Sequence, residues 1–99
     1  MIAVLFEVEI RSGQVTAYMD LAQELKVALE QVDGFISVER FESVAEPGRY
    51  LSLSYWRDEA AARAWHLHPQ HAAAQQLGRT TIFERYKISV ASIIRRYEG

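Results

Sequence analysis

Three histidines, His66, His68 and His71, lie within six positions of the chain and directly follow Trp65. Imidazoles this close together indicate either a metal site or an acid–base centre that titrates near neutrality. On a helix only His68 and His71, three positions apart, converge readily, and no HExxH-type third ligand accompanies them. An acid–base centre is therefore favoured over a metal site. A structural alternative stays open, in which His66 is solvated and His68 caps the helix that begins at Pro69.

The aromatic residues around these histidines predict a ligand pocket. A proline inside an Ala-rich helical stretch divides it into two segments, and a bend there leaves a cavity if the segments stand away from the sheet. An apolar cavity with a few polar groups suits a flat aromatic or polyketide-like ligand. The alternative is that the tryptophan simply packs in the core. The residues predicted to line the pocket are Trp65, His68, His71, Phe83 and Tyr86.

Other kinds of site are less well supported. The chain has no Cys, which excludes disulfides, thiolate metal sites and Cys nucleophiles. It also has no Gly-rich phosphate loop and no GxSxG elbow for a nucleophilic serine. Glu7 and Glu9 share one face of a strand, but ion pairs with Arg40, Lys87 or Arg95 explain them better than paired-carboxylate catalysis.

The first half of the chain reads as a strand, a helix and a hairpin. Alternating apolar residues predict a strand over roughly 2–10. Helical spacing from residue 15 to 32 predicts a helix that ends before Gly34, a suitable left-handed cap. Strand-like segments over 35–41 and 50–56, joined by a Pro-Gly turn, predict a hairpin.

The second half reads as a divided helix and a last strand. Asp58 can cap a helical segment over about 58–67, and the proline begins a second one over 69–77 that Gly78 stops. A β-branched run predicts a strand over 86–94. The order βαββαβ predicts one α+β domain over residues 1–99: a ferredoxin-like, four-stranded antiparallel sheet with both helices on one face.

Net charge and the distribution of apolar residues indicate which partners and which location to expect for the protein. A formal net charge of −2 provides no field that would attract nucleic acid. The longest apolar run, residues 1–6, is too short to span a membrane and lacks the flanks of a signal peptide, so we expect a cytoplasmic protein. The bare face of the predicted sheet would expose an apolar patch that includes Leu5. Two copies packed face to face would cover it, which predicts a homodimer.

Several segments together resemble the antibiotic biosynthesis monooxygenase family of the dimeric α/β-barrel superfamily. They are the opening MIAVLFEVEI, then VDGFISVERFES, LSLSYWRDEAAARAW with HLHPQH, and the closing IFERYKISVASIIRRYEG. The resemblance covers nearly the whole chain, and its most specific part is the stretch from Tyr55 to His71. It implies a homodimer that forms a dimeric α/β barrel, with a small-molecule pocket between sheet and helices in each protomer.

The resemblance also implies a function. Some relatives oxygenate quinol or anthrone-type aromatics with molecular oxygen and without metal or flavin. In that chemistry Trp65 and Phe83 would bind the substrate, and His68 or His71 would accept its proton, with Tyr86 as a hydrogen-bond donor. Two alternatives stay open: a non-catalytic dimeric binding or accessory module, and an isomerase or cyclase that uses the same pocket.

One branch of the superfamily degrades haem and offers a contrast. That branch uses an Asn on the first strand, a Trp and a His ten positions later. This chain contains no Asn, Phe6 stands at the matching strand position, and Gln75 lies ten positions after Trp65. Haem degradation is therefore disfavoured.

Overall fold

Residues 1–99, all of which the computed structural model describes, contain four strands, three α-helices and a π-helical turn. The four strands form one antiparallel sheet, and the helices lie on one of its faces, which is the ferredoxin-like α+β fold predicted from the sequence. None of the helices combines the length and the apolar character needed to cross a membrane. In chain order the elements are β1 (Ile2–Ile10), α1 (Val15–Glu30), β2 (Phe35–Glu42), β3 (Arg49–Trp56), α2 (Glu59–His66), α3 (Pro69–Leu77), a π-helical turn (Gly78–Ile82) and β4 (Phe83–Ser92).

The central strand β1 organises the sheet. The strand order is β2-β3-β1-β4, so β1 pairs with both β3 and β4. Its even-numbered side chains face the helices, because Val8 packs with Tyr18 of α1 and Val4 packs with Leu29 near the end of that helix. Two core clusters result, one around Val8 and one around Trp56, and both side chains are 1% exposed.

Local hydrogen bonds explain the break between α2 and α3. The Asp58 Oδ1 atom accepts a hydrogen bond from the Ala61 N–H at 2.9 Å and starts α2. The Nδ1 atom of His68 accepts one from the Gln70 N–H at 3.1 Å, and Pro69 occupies the first position of α3. Proline suits that position because its missing N–H would have no helical partner there. The two predicted helical segments are therefore confirmed.

Two glycines behave differently from the prediction. Gly34 has a φ of 90°, but α1 already ends at Glu30, so the glycine turns the chain into β2 instead of capping the helix. Gly78 does not stop α3, since its backbone stays right-handed and continues into the π-helical turn. The Phe83 ring occupies the space that a Cβ on Gly78 would need, so this position requires a glycine because of the close packing of that ring. The last strand consequently runs from residue 83 to 92 and not from 86 to 94.

The opposite face of the sheet carries no helix. Leu5 stands opposite Leu53 on this face, with half-buried Leu51 and Tyr55 on the same strand as Leu53. Ion pairs cross the face beside these residues: Glu7 lies 3.4 Å from Lys87, one of its predicted partners, and 3.6 Å from Arg49. Glu9 lies 3.1 Å from Arg85. A mixed apolar and charged surface is thus left without a cover of secondary structure.

Candidate functional site

A cavity of about 690 Å³ lies between the sheet and the helices. Side chains of α1 form one wall, α2 and α3 form the other, and the floor comes from the helix-facing residues of the strands. Of its 27 lining residues 16 are hydrophobic, so the cavity favours a ligand with a largely apolar body. At the last strand the wall is exposed, with Ile88 at 40% and Val90 at 58%.

Trp65 and His71 form an aromatic corner of this cavity. Trp65 lies in the last turn of α2 and His71 in the first turn of α3, so the break between the helices brings them together. Their ring centroids are 5.1 Å apart with planes inclined by 53°. Trp65 also packs against the core cluster around Trp56. The tryptophan therefore belongs both to the core and to the cavity wall, which the sequence had presented as alternatives.

The surroundings of His71 favour its neutral form. Burial is the largest cause that lowers the pKa of His71 below its ordinary value of 6.5, while a hydrogen bond to the His66 carbonyl raises it in part. That bond joins Nδ1 of His71 to the His66 oxygen at 3.3 Å. Because a carbonyl oxygen only accepts, the bond requires the proton on Nδ1. The Nε2 atom is then the basic nitrogen of a neutral ring, which is the form that a general base needs.

The other predicted site residues occupy different places. Phe83 lines the cavity. His68 caps α3 and lies outside the lining, although its ring centroid is 5.3 Å from that of Trp65. Tyr86 also lies outside the lining and packs with Phe6 and Phe83, at centroid distances of 5.9 Å and 5.7 Å. The structure thus brings Trp65, His71 and Phe83 together on one cavity, and not His68 or Tyr86.

Sequence reasoning missed a polar group in the cavity wall. Arg40 on β2 lines the cavity, and its Nε atom donates a hydrogen bond to the Tyr18 hydroxyl at 3.0 Å. The Arg40 guanidinium carbon also lies 5.3 Å from the centroid of the Tyr18 ring. Burial raises the pKa of Tyr18, and the nearby Arg40 opposes that shift. The alternation of side chains along β2 could have identified Arg40, since it lies on the same strand face as Val38 and opposite Ser52 of β3.

Comparison with protein families identifies the chain. The family described as antibiotic biosynthesis monooxygenase matches residues 1–77. The chain belongs to this family. The match includes β1, both helical walls of the cavity and the aromatic corner, but not β4, which adds Phe83, Ile88 and Val90 to the lining.

Named relatives of this monooxygenase-family domain come from a fungus and a bacterium. It is 38% identical over 93 residues to a jasmonate monooxygenase of Pyricularia oryzae, covering 94% of this chain and 43% of that protein. The chain thus spans less than half the length of this relative. It is 34% identical over 95 residues to an uncharacterised protein, YqjZ, of Bacillus subtilis, covering 95% of this chain and 80% of that protein.

Solved structures resemble the domain in fold. A Deinococcus radiodurans protein superposes with a TM-score of 0.89 at 16% identity, covering 100% of this chain and 98% of that one. Rv0793 of Mycobacterium tuberculosis superposes with a TM-score of 0.85 at 15% identity, covering 98% of both chains. At such low identity these likenesses establish the fold alone.

Metal ligation was the alternative interpretation of the histidine cluster. No group of three or more His, Cys, Asp or Glu side chains in the domain is arranged to hold a metal ion. The His66 and His71 rings are close, with centroids 5.7 Å apart, but Nδ1 of His71 is already engaged with the His66 carbonyl and Nδ1 of His68 with the Gln70 N–H.

Proposed function

We propose that the protein is a cofactor-independent monooxygenase that acts on a small aromatic or polyketide-like compound bound in the cavity. Membership of the antibiotic biosynthesis monooxygenase family supports an oxygenase. The observation that carries the assignment to this cavity is His71, a neutral, half-buried histidine packed on Trp65 in its wall. A neutral imidazole beside an apolar cavity is suited to accept a proton from a bound phenol or activated carbon acid.

The proposed reaction needs only a base, a dry cavity and molecular oxygen. His71 Nε2 takes a proton from the substrate and leaves an electron-rich anion, which reduces dioxygen. In an anthrone-type substrate a methylene group becomes a carbonyl group, one oxygen atom enters the product and the other leaves as water. The substrate supplies all four electrons, so the balance requires no flavin or metal.

The walls of the cavity would contribute orientation and exclusion of water. Trp65 and Phe83 present aromatic surfaces on which a planar substrate can stack. Because the bound substrate would be held beside His71, proton transfer would occur within one complex and would not require a separate encounter of base and substrate. Apolar walls also limit the hydration of the anion, which keeps it reactive toward oxygen.

The fungal relative offers a second guide to the substrate. By its name that protein acts on jasmonate, and the similarity covers 94% of this chain. Jasmonate is a small ring compound with an apolar side chain and a carboxylate. We propose that the substrate here has a comparable size and a mostly apolar body, as the cavity volume of about 690 Å³ allows.

Oxygen uptake tests the proposed function. A thermal-shift screen of quinols, anthrones and small cyclic ketones finds ligands, because a ligand that binds the folded state raises its melting temperature. An oxygen electrode then measures consumption with each hit, against the same compound without protein. We expect one O2 consumed per product formed, with no added flavin or metal. Binding without oxygen uptake would instead favour a non-catalytic module or an isomerase.

We propose further that two copies pack their open sheet faces together as a homodimer. Support comes from Leu5, Leu51, Leu53 and Tyr55, which lie on the face that no helix covers. Sedimentation velocity tests this, with Leu53→Arg as the variant that places a charge in the apolar patch. We expect a dimer that the variant converts to monomer; a monomeric parent protein would refute the assembly. The cytoplasmic location predicted from the sequence stays a prediction.

A further inference from the structure

Arg40 carries a positive charge in the cavity wall without a negative partner. It lies on the helix-facing side of the edge strand β2 and is half-buried. No carboxylate lies within ion-pair distance of its guanidinium, whereas Arg57 on the surface pairs with both Asp33 and Asp58 at 3.2 Å. A partly desolvated charge without a counter-ion is unfavourable, so the site gains when an anion binds.

The hydrogen-bond pattern leaves donors free at this point. Arg40 uses Nε for the Tyr18 hydroxyl, and its two terminal amino groups bond to no protein atom. Every buried polar side-chain atom in the protein has a partner, so these amino groups reach the cavity or solvent. The Tyr18 hydroxyl accepts from Arg40, and its own proton remains available to donate. A planar guanidinium fork and a hydroxyl together match the two oxygens of a carboxylate.

The other charged groups of the cavity wall do not neutralise Arg40. Glu59 lies 3.6 Å from Arg63 and is thus engaged. Glu39 neighbours Arg40 in sequence, but strand alternation directs its side chain to the opposite face of the sheet. Lys26 on α1 adds a second positive charge to the same wall. Glu42 shares the helix-facing side of β2 with Arg40, but it stands opposite Tyr50, accepts a hydrogen bond from the Gly48 N–H at 3.4 Å and forms no ion pair with Arg40. The charge of Arg40 is therefore not paired within the protein.

We propose that Arg40 and Tyr18 form a carboxylate-binding subsite, and that the cavity takes small apolar acids. The inference rests on the proposed function, because it treats this cavity as the substrate site. Tyr18 packs in the core cluster around Val8, and Trp65 packs against the cluster around Trp56. A ligand whose carboxylate binds Arg40 therefore directs its apolar body along the floor toward the aromatic corner. The subsite fixes which end of the substrate faces His71.

Calorimetry with a matched pair of probes tests this without any reaction. The probes are 1-naphthaleneacetate and its neutral primary amide, which have nearly the same shape and differ in charge. At pH 7.5 and low salt we expect the acid to bind roughly 10- to 100-fold more tightly than the amide, as for a charge-assisted hydrogen bond. Equal affinities for the two probes, or no binding of the acid, would overturn the proposal.

Variants assign the preference to Arg40. We expect Arg40→Met to bring the affinities for the acid and the amide close together, Arg40→Lys to keep part of the preference for the acid, and Tyr18→Phe to weaken acid binding about tenfold. Arg57→Met, which removes the same charge outside the cavity, is the matched control and keeps the full preference. A preference that survives in Arg40→Met, with its fold verified by circular dichroism, refutes the subsite. Loss of oxygenase activity with binding intact would refute only the proposed function.

Discussion

Replacing His71 with alanine tests the proposed base most directly. General-base catalysis contributes about 10²- to 10⁴-fold to a rate, so the variant is expected to lose that factor in kcat, which corresponds to about 3 to 5.5 kcal/mol of barrier. Substrate affinity changes much less, because Trp65 and Phe83 remain in the wall. The measurement is steady-state oxygen uptake at saturating substrate, together with the melting temperature of each variant.

His68→Ser is the matched comparison. A serine at this position keeps a side-chain acceptor for the Gln70 N–H and so preserves the cap of α3. If His71 is the base, His68→Ser retains a rate within a few-fold of the parent. Full activity in His71→Ala, or a loss confined to His68→Ser, would show that His71 is not the base.

The pH dependence supplies a second readout for His71. Burial lowers its pKa below 6.5, so at neutral pH the ring is already in the basic form, and kcat falls only as the pH drops below the lowered pKa. The same shift affects folding. Between the lowered pKa and 6.5 the unfolded chain binds more protons, so stability falls as the pH falls through this window. His71→Ala removes that contribution, and urea titrations at several pH values measure the change.

Two further predictions concern the fold that holds the cavity. Ser54→Ala removes the hydroxyl that accepts a 2.9 Å hydrogen bond from the buried Trp56 indole, so we expect it to lower the free energy of unfolding by about 1–3 kcal/mol. Ser52→Ala, on the same strand face, removes no side-chain hydrogen bond. We expect it to change the free energy of unfolding, measured by urea denaturation, by less than about 0.5 kcal/mol. Gly34→Ala brings a Cβ to 2.6 Å from a helix methyl group, whereas Gly13→Ala, also at positive φ, meets nothing within 4 Å. The first variant is therefore expected to melt at a lower temperature than the second, and equal melting temperatures would show that backbone strain alone governs both sites.

Much of the fold follows from local patterns in the chain. The period-two alternation from Ile2 to Ile10 predicts the bounds of β1, because the even-numbered side chains of that strand pack against the helices. Pro69 likewise fixes the start of α3 by its backbone chemistry. The prediction that Gly78 stops α3 was wrong, because a glycine near a helix end can serve either as a left-handed cap or as a place where another side chain packs closely. Its signal at a helix end is usual for a left-handed cap, but here close approach of the Phe83 ring requires it, and only tertiary packing reveals this.

The candidate site was predictable only in part. The sequence placed Trp65 and His71 beside a bend, and the structure lines one cavity with both. It did not separate His71 from His68, since only the fold shows that His68 Nδ1 accepts a backbone hydrogen bond as a helix cap, whereas His71 lines the cavity and its Nδ1 bonds to a backbone carbonyl. Arg40 was missed as a site residue because an arginine on an edge strand resembles an ordinary surface charge. Its contact with Tyr18 joins residues 22 positions apart.

The exposed flank of β4 affects which substrates fit. Ile88 and Val90 belong to the cavity wall, yet no helix lies over them. A molecule too long for the enclosed volume can extend past these two side chains into solvent without moving α1 or α3. Under the proposed function we therefore expect weak discrimination by length along this side, and selection by the shape of the portion that reaches the aromatic corner.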